Sequence, residues 1–246
     1  MGRHKISKFE YFLVKEIGRA IAEYNMIEDG DNVLVAVSGG KDSLSLLKIL
    51  HDRRRWVPIN YDLLAVHIQT DHRCAGCVHT DVLSKLFSEN NYKYHIEKIS
   101  LFENNKDKEK GVSCFWCSWN RRKALFRIAD KFGCNKIAFG HHMDDIAETL
   151  LLNIFYNGEV STMPPYLEIF GGTLKIIRPL LYVDESKLAR FARECGFPEN
   201  LCKCPNGLIS RRKRIKNLIQ DLSKENPQIK INILNSLRRV KEGYLV

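Results

Sequence analysis

The hexapeptide Ser38-Gly39-Gly40-Lys41-Asp42-Ser43 directly follows the apolar run Val33-Leu34-Val35-Ala36-Val37, and this junction constrains the fold more than any other feature. The run, rich in valine, reads as a buried strand, and residues 44–50 read as the helix after it. Two adjacent glycines carry no Cβ, so the loop between can turn its backbone N–H groups toward one point. The helix N-terminus adds partial positive charge there, and Lys41 and the two serine hydroxyls add donors. Such a junction binds phosphate. Its spacing is neither that of G-x-x-x-x-G-K-[ST] nor that of G-x-G-x-x-G.

Strand and helix signals alternate along the chain, which predicts a parallel sheet wrapped by helices. An amphipathic helix is expected over 8–24, strands over 62–69, 94–99 and 136–139, and a last strand over 174–181, interrupted around Pro179. Helices are expected over 80–89, 117–132 and 144–156, with Asp144 as N-cap of the last. Asp184 caps a further helix ending near 196–198, and two tail helices cover 211–222 and 228–240. Residues 104–111 (NNKDKEKG) read as a mobile charged loop. With no internal repeat, the chain reads as a single domain over 1–246. It comprises a helical segment over 1–31, a core over 32–200 and a basic tail over 201–246.

Lys and Arg number 39 against 29 Asp and Glu, a net charge of +10, which favours a polyanionic partner. The basic clusters are Arg53-Arg54-Arg55, Arg121-Arg122-Lys123 and Arg211-Arg212-Lys213-Arg214. No run of about 18 apolar residues and no leader pattern is present, so a soluble, cytoplasmic protein with no membrane contact is expected. Eight cysteines in such a chain suggest metal or redox chemistry rather than disulfides. Cys74 and Cys77 form one C-x-x-C, Cys114 and Cys117 a second, and Cys202 and Cys204 a C-x-C. Cys134 and Cys195, each beside a glycine at a helix end, read as packing residues.

Four motifs stand in order: SGGKDS; Cys114-Phe115-Trp116-Cys117-Ser118 followed by Arg121-Arg122; Gly140-His141-His142-Met143-Asp144-Asp145 with Glu148-Thr149; and Met163-Pro164-Pro165 with Arg178-Pro179-Leu180. The first resembles the PP-loop of the ATP pyrophosphatases. Together, over about 32–218, they resemble the tRNA 2-thiocytidine synthetase family. The resemblance implies a doubly wound parallel α/β sheet of the adenine nucleotide alpha hydrolase-like kind, with an N-terminal helix and a C-terminal helical tail. It implies a tRNA sulfurtransferase that adenylates the C2 carbonyl of a cytidine at position 32, in the anticodon loop, and replaces the oxygen with sulfur. ATP is then a substrate, yielding AMP and pyrophosphate. The expected partners are tRNA and a sulfur donor, either sulfide or a cysteine desulfurase system; a homodimer is left open.

The family carries a 4Fe-4S cluster on three cysteines. Its C-x-x-C falls on Cys114 and Cys117. Counting back from the basic helix puts the third ligand at Cys204, whereas counting forward from Phe197-Pro198 favours Cys202; Cys204 is adopted. Three thiolates leave one iron open, as a sulfur-carrying site requires. Zinc on Cys74, Cys77, Cys114 and Cys117 is the alternative. Cys74 and Cys77 depart from the family pattern and read as a loop pair, a second metal site or a sulfur relay.

For ATP, the expected contacts are Ala36 and Val37 at the adenine side, Ser38, Gly39, Gly40, Lys41, Asp42 and Ser43 at the phosphates, and Ile68, Gly140 and Asp145 around them. Lys41 is expected nearest the pyrophosphate. Asp145 is the candidate for Mg²⁺ or substrate polarisation, and Arg121 for offsetting charge as the adenylate forms. His141 and His142 stay open between core and catalytic roles. Arg122, Lys123, Arg211, Arg212 and Arg214 are expected on RNA. The rival readings are a 2-thiouridine synthase, an amide- or lysidine-forming PP-loop ligase, and a non-catalytic iron–sulfur RNA-binding or redox-sensing protein.

Overall fold

The computed structural model describes residues 7–71, 80–101, 113–198 and 211–244, and within them every side chain but that of Cys114. The elements run α1 (Lys8–Glu23), β1 (Asp31–Ala36), α2 (Lys41–Arg53), β2 (Tyr61–Thr70), α3 (Thr80–Glu89), β3 (Tyr94–Ile99), α4 (Cys114–Lys131) and β4 (Lys136–Ala138). They continue α5 (Met143–Asn157), β5 (Tyr166–Ile169), β6 (Leu174–Ile177), α6 (Glu185–Glu194), α7 (Arg211–Glu225) and α8 (Ile229–Ser236). Among the described residues no helix is long and apolar enough to cross a membrane. The 104–111 segment, Cys74, Cys77, Cys202 and Cys204 lie outside the described residues.

The strands form one sheet in the order β3-β2-β1-β4-β6-β5. All neighbours are parallel except β5, which pairs antiparallel to β6 with Tyr166 opposite Ile177. That edge strand was not expected from the sequence. The expected last strand is also shorter: it stops at Ile177, and Arg178–Leu181 closes as a turn through the Leu181 N–H to the Arg178 carbonyl at 3.2 Å. Pro179 lacks the N–H a continuing ladder needs.

Both faces of the sheet are covered, so its central strands are apolar on both sides. One face packs Val33, Val35, Leu63 and Ala65 against α1, α2, α3 and α6, including Ile17, Leu47, Phe87 and Phe191. The other packs Leu34, Leu64, Val66 and Ile137 against Ala124, Leu125, Ile128 and Ala129 of α4. Each buried valine, leucine, isoleucine or phenylalanine among them contributes roughly 1.5–3 kcal/mol by leaving water. Cys134 is buried in the second cluster and Cys195 packs at the margin of the first, with burial pushing each thiol up to about 11. Both act as packing residues.

At the amino edge, Lys136 is almost fully buried and bonds Asp31 at 2.7 Å and Glu28 at 2.9 Å. That group ties β1 to β4 at the end opposite their loops. β2 leaves β1 on one side and β4 joins it on the other, so the order reverses between β1 and β4. In open α/β sheets the crevice outside the carboxyl ends at such a reversal is where ligands bind.

Candidate active site at the carboxyl edge

Helices that follow parallel strands begin at the strands' carboxyl ends, so α2, α4, α5 and α6 all start on this edge. Gly39 takes φ 90°, a conformation only glycine holds without strain. Gly40 is the N-cap of α2 and offers no side-chain cap, so the N–H groups of Lys41, Asp42 and Ser43 open a helix that has no carbonyl for them. The loop is braced by its serines. The Ser38 N–H donates to Ser43 Oγ at 3.1 Å, the Gly40 N–H donates to Ser38 Oγ at 3.2 Å, and Ser43 Oγ donates to the Gly40 carbonyl at 3.0 Å.

Across the reversal, Gly140 follows β4 against this loop. A Cβ on it would lie 3.1 Å from both the N and the Cα of Ser43 and 3.2 Å from the Asp42 carbonyl carbon. Gly140 is thus where the loop after β4 touches the first turn of α2 backbone to backbone. Val37 is fixed from two sides: its N–H donates to the Val66 carbonyl at 2.8 Å, and its carbonyl accepts from buried His67 Nδ1 at 2.8 Å. His67 therefore carries its proton on Nδ1.

The expected cation, Lys41, reaches Asp42 at 3.2 Å and Glu185 at 3.1 Å. Burial alone would lower its pKa, but those two carboxylates raise it. Glu185 in turn bonds Lys216 of α7 at 2.6 Å. Lys230 of α8 bonds Asp184 at 2.7 Å and also contacts Asp144. Lys41, Asp144, Glu148, Asp184, Glu185, Lys216 and Lys230 surround a cavity of about 250 Å³ beside the loop. The tail helices therefore form one wall of the site, and Glu185, Lys216 and Lys230 belong to its charge network. Nothing local in the sequence marks them, because each pair joins residues far apart along the chain.

Asp144 does not cap its own helix. The N-cap of α5 is His142, and Asp144 sits two residues inside, where its Oδ2 accepts the Glu185 N–H at 2.8 Å. It thereby satisfies an orphan donor at the start of α6. Burial would raise its pKa, yet His142, Lys230 and that N–H hold it well below the usual carboxylate range. Asp145 accepts the His142 N–H at 3.1 Å, and its Oδ1 takes Arg212 at 2.8 Å. Arg212 also bonds Glu148 at 2.6 Å. Glu148 is buried, which pushes its pKa up despite Arg212. Arg212, expected on RNA, is thus engaged inside the site. Arg211 lies over the Tyr156 ring at 4.8 Å, and Arg122, Lys123, Arg211 and Arg214 are exposed.

The two histidines differ. For His142, burial opposes the charged form, but Asp144, Asp145 and Asp42 outweigh it and raise the pKa. His141 is pushed down to about 4, by burial first and then by Arg178. Arg178 is buried, and its Nε donates to His141 Nδ1 at 3.3 Å. Its Nη1 reaches the Pro164 carbonyl, and its backbone N–H bonds the Pro165 carbonyl at 3.0 Å. The Met163-Pro164-Pro165 and Arg178-Pro179-Leu180 motifs are two halves of one contact.

Arg121 reaches the same edge from α4, where its Nη2 donates to the Ile68 carbonyl at 3.2 Å. Among the described residues its buried Nε has no hydrogen-bond partner. Cys114 and Cys117 occupy the first turn of α4, which Ser113 caps by accepting the Trp116 N–H at 3.1 Å. Among the described residues no three His, Cys, Asp or Glu side chains form a ready metal cage.

A family model of the PP-loop domain matches residues 12–198. The chain is 40% identical over 234 residues to the tRNA-cytidine(32) 2-sulfurtransferase of Geobacter metallireducens, covering 94% of this chain and 90% of that protein. It is 39% identical over 246 residues to the protein of the same name in Geobacter sulfurreducens, covering 98% and 95%. Among solved structures it is similar to the U34-tRNA thiolase NcsA from Methanococcus maripaludis with its 4Fe-4S cluster, at TM-score 0.78 and 23% identity, covering 97% of this chain and 80% of that one. At that identity the likeness is one of fold.

Proposed function

The chain belongs to the PP-loop family of tRNA-cytidine(32) 2-sulfurtransferases, and from that premise we propose how its residues thiolate a tRNA cytidine at the expense of ATP. The observation that carries the reading is the backbone contact between Gly140 and Ser43 at the reversal of the sheet. It packs the chain after β4 against the nest of residues 38–43, on the same edge where α4 begins with Cys114 and Cys117.

ATP places its phosphates on residues 38–43, where the first N–H groups of α2 and the Ser38 and Ser43 hydroxyls receive them. Lys41 exchanges Glu185 for the pyrophosphate side, and the orphaned Arg121 Nε meets a phosphate oxygen. The C2 carbonyl oxygen of cytidine attacks the α-phosphorus, breaking the α–β bond and releasing pyrophosphate. A sulfur nucleophile then adds at C2, and AMP leaves with the original oxygen. Lys41 stabilises the charge that develops on the leaving pyrophosphate, and Arg121 the charge on the α-phosphate. The nest and the α4 start hold the reactants on one edge, which supplies proximity. Neutral His141, held by Arg178, offers a ring that stays uncharged through the reaction.

The first turn of α4 suits metal-bound sulfur, because a helix N-terminus favours thiolate over thiol. Cys114 and Cys117 there, with Cys204, are the proposed ligands of a 4Fe-4S cluster, which when bound supplies an iron site for the incoming sulfur. Asp145 is the proposed protein ligand of Mg²⁺. A magnesium ion takes most of its ligands from phosphate and water, so a single carboxylate beside the nest is a suitable donor set. Sulfide or a cysteine desulfurase provides the sulfur.

The test is an anaerobic assay with ATP, Mg²⁺, tRNA and sulfide, reading AMP release and tRNA nucleosides by mass spectrometry. Appearance of 2-thiocytidine is expected. Formation of 2-thiouridine, or ATP cleavage with no thionucleoside, overturns the reading.

A further inference from the structure

The start of α4 carries a group of exposed aromatic rings that neither the fold nor the ATP chemistry uses. Phe115 is 73% exposed, Trp119 50% and Trp116 45%. Phe115 and Trp119, four residues apart on one helix face, hold their rings near-parallel at an interplanar angle of 13° with centroids 6.3 Å apart. Trp116 is anchored beside them by its indole N–H, which donates to the Leu101 carbonyl at 3.2 Å. Large exposed rings in a group are the informative exception on a soluble surface.

The same stripe continues into cations. Arg122 and Lys123 follow Phe115 by seven and eight residues and are exposed, so they stand about 10 Å further along the axis. Arg121, next to Arg122, donates to the Ile68 carbonyl at 3.2 Å, which places this part of α4 at the carboxyl edge of the sheet. Apolar partners do not account for a row that grades from bare rings into guanidinium and ammonium. Unpaired RNA does: bases stack on aromatic faces while phosphates take the cations.

We propose that Phe115 and Trp119 form a stacking platform for unpaired nucleobases flanking the target cytidine, with Arg122 and Lys123 holding the adjoining phosphates. This deepens the thiolase reading and rests on it for the identity of the RNA. The platform holds a splayed loop open next to the nest, so the target base can leave the stack without losing all of its stacking energy.

The experiment measures binding of an anticodon stem–loop RNA, and of a fully paired RNA of equal length, to the intact protein by fluorescence anisotropy. Phe115→Ala with Trp119→Ala should weaken stem–loop binding by roughly fivefold or more, the scale of losing one or two stacked bases. Duplex binding and ATP binding should not change. Trp119→Phe and Phe115→Tyr should restore the affinity, because stacking asks only for a π-face. Unchanged stem–loop affinity in the double alanine variant overturns the platform. So does a shift of that variant from dimer to monomer in sedimentation, which would assign the rings to a second copy. If the wild type forms no thionucleoside yet the double alanine variant loses stem–loop affinity, the thiolase reading fails and the platform stands.

Discussion

Gly140 and Ser43 meet with no side chain between them: a Cβ at 140 would stand 3.1 Å from the Ser43 amide nitrogen and α-carbon. Both neighbours are backbone, so neither can swing aside. Gly140→Ala should therefore part the loop after β4 from the first turn of α2, lowering stability by about 1–3 kcal/mol and weakening ATP binding in calorimetry. Gly243→Ala, at a position with open space, should leave both unchanged.

Lys41→Ala and Asp145→Asn should each abolish tRNA-dependent AMP formation, by on the order of a hundred- to a thousandfold. Iron content and the visible absorbance of anaerobically reconstituted protein should stay at wild-type levels, since neither residue is a proposed cluster ligand. Cys114→Ala should do the reverse, losing the absorbance and thiolation while keeping ATP affinity. Retention of thiolation in Lys41→Ala would remove the loop from the chemistry.

Salt dependence separates the arginines of α7. Arg211, Arg212 and Arg214 are all exposed, but Arg212 also bonds Asp145 and Glu148. Replacing Arg211 and Arg214 should lower the slope of tRNA affinity against salt by about 0.7–0.9 for each phosphate no longer neutralised. Arg212→Ala should instead strand buried Glu148, destabilise the protein and impair AMP formation. Equal salt slopes for all variants would show that α7 touches no phosphate.

Acid should probe His141. Its folded pKa of about 4 lies below the ordinary 6.5 because of burial, then Arg178. Between about 6.5 and 4 the unfolded chain binds a proton that the folded chain refuses. Folded stability therefore falls as pH drops through that window, and His141 contributes no such slope above it. His141→Gln should show a shallower acid limb in denaturant unfolding; identical limbs would show that His141 protonates freely in the fold.

The periodic elements were legible in the sequence because their burial is local. The expectations for 80–89 and 94–99 coincide with α3 and β3. β5 was not legible: four residues between Pro165 and Phe170, with Leu167 and Glu168 exposed, leave no alternation to read. The phosphate loop was legible because adjacent glycines before a helix have few other uses. The ion pairs of Glu185 with Lys41 and Lys216 were not, since their spacing records no contact. Asp144 shows the same limit. Its place beside a helix start suggested a cap, and only the fold reveals that it takes the first N–H of α6, whose N-cap is Asp184.

The walling of the cavity beside residues 38–43 by α7 and α8 has a consequence for synthesis. A chain emerging from the ribosome presents residues 31–198 before the tail, and its sheet gathers Asp42, Asp144, Asp145, Glu148, Asp184 and Glu185 at one mouth. Arg212, Lys216 and Lys230 arrive last, and with them the charges that offset that mouth. A chain that stops short of α7 should therefore keep the loop yet bind ATP more weakly than the full chain does, which calorimetry would show.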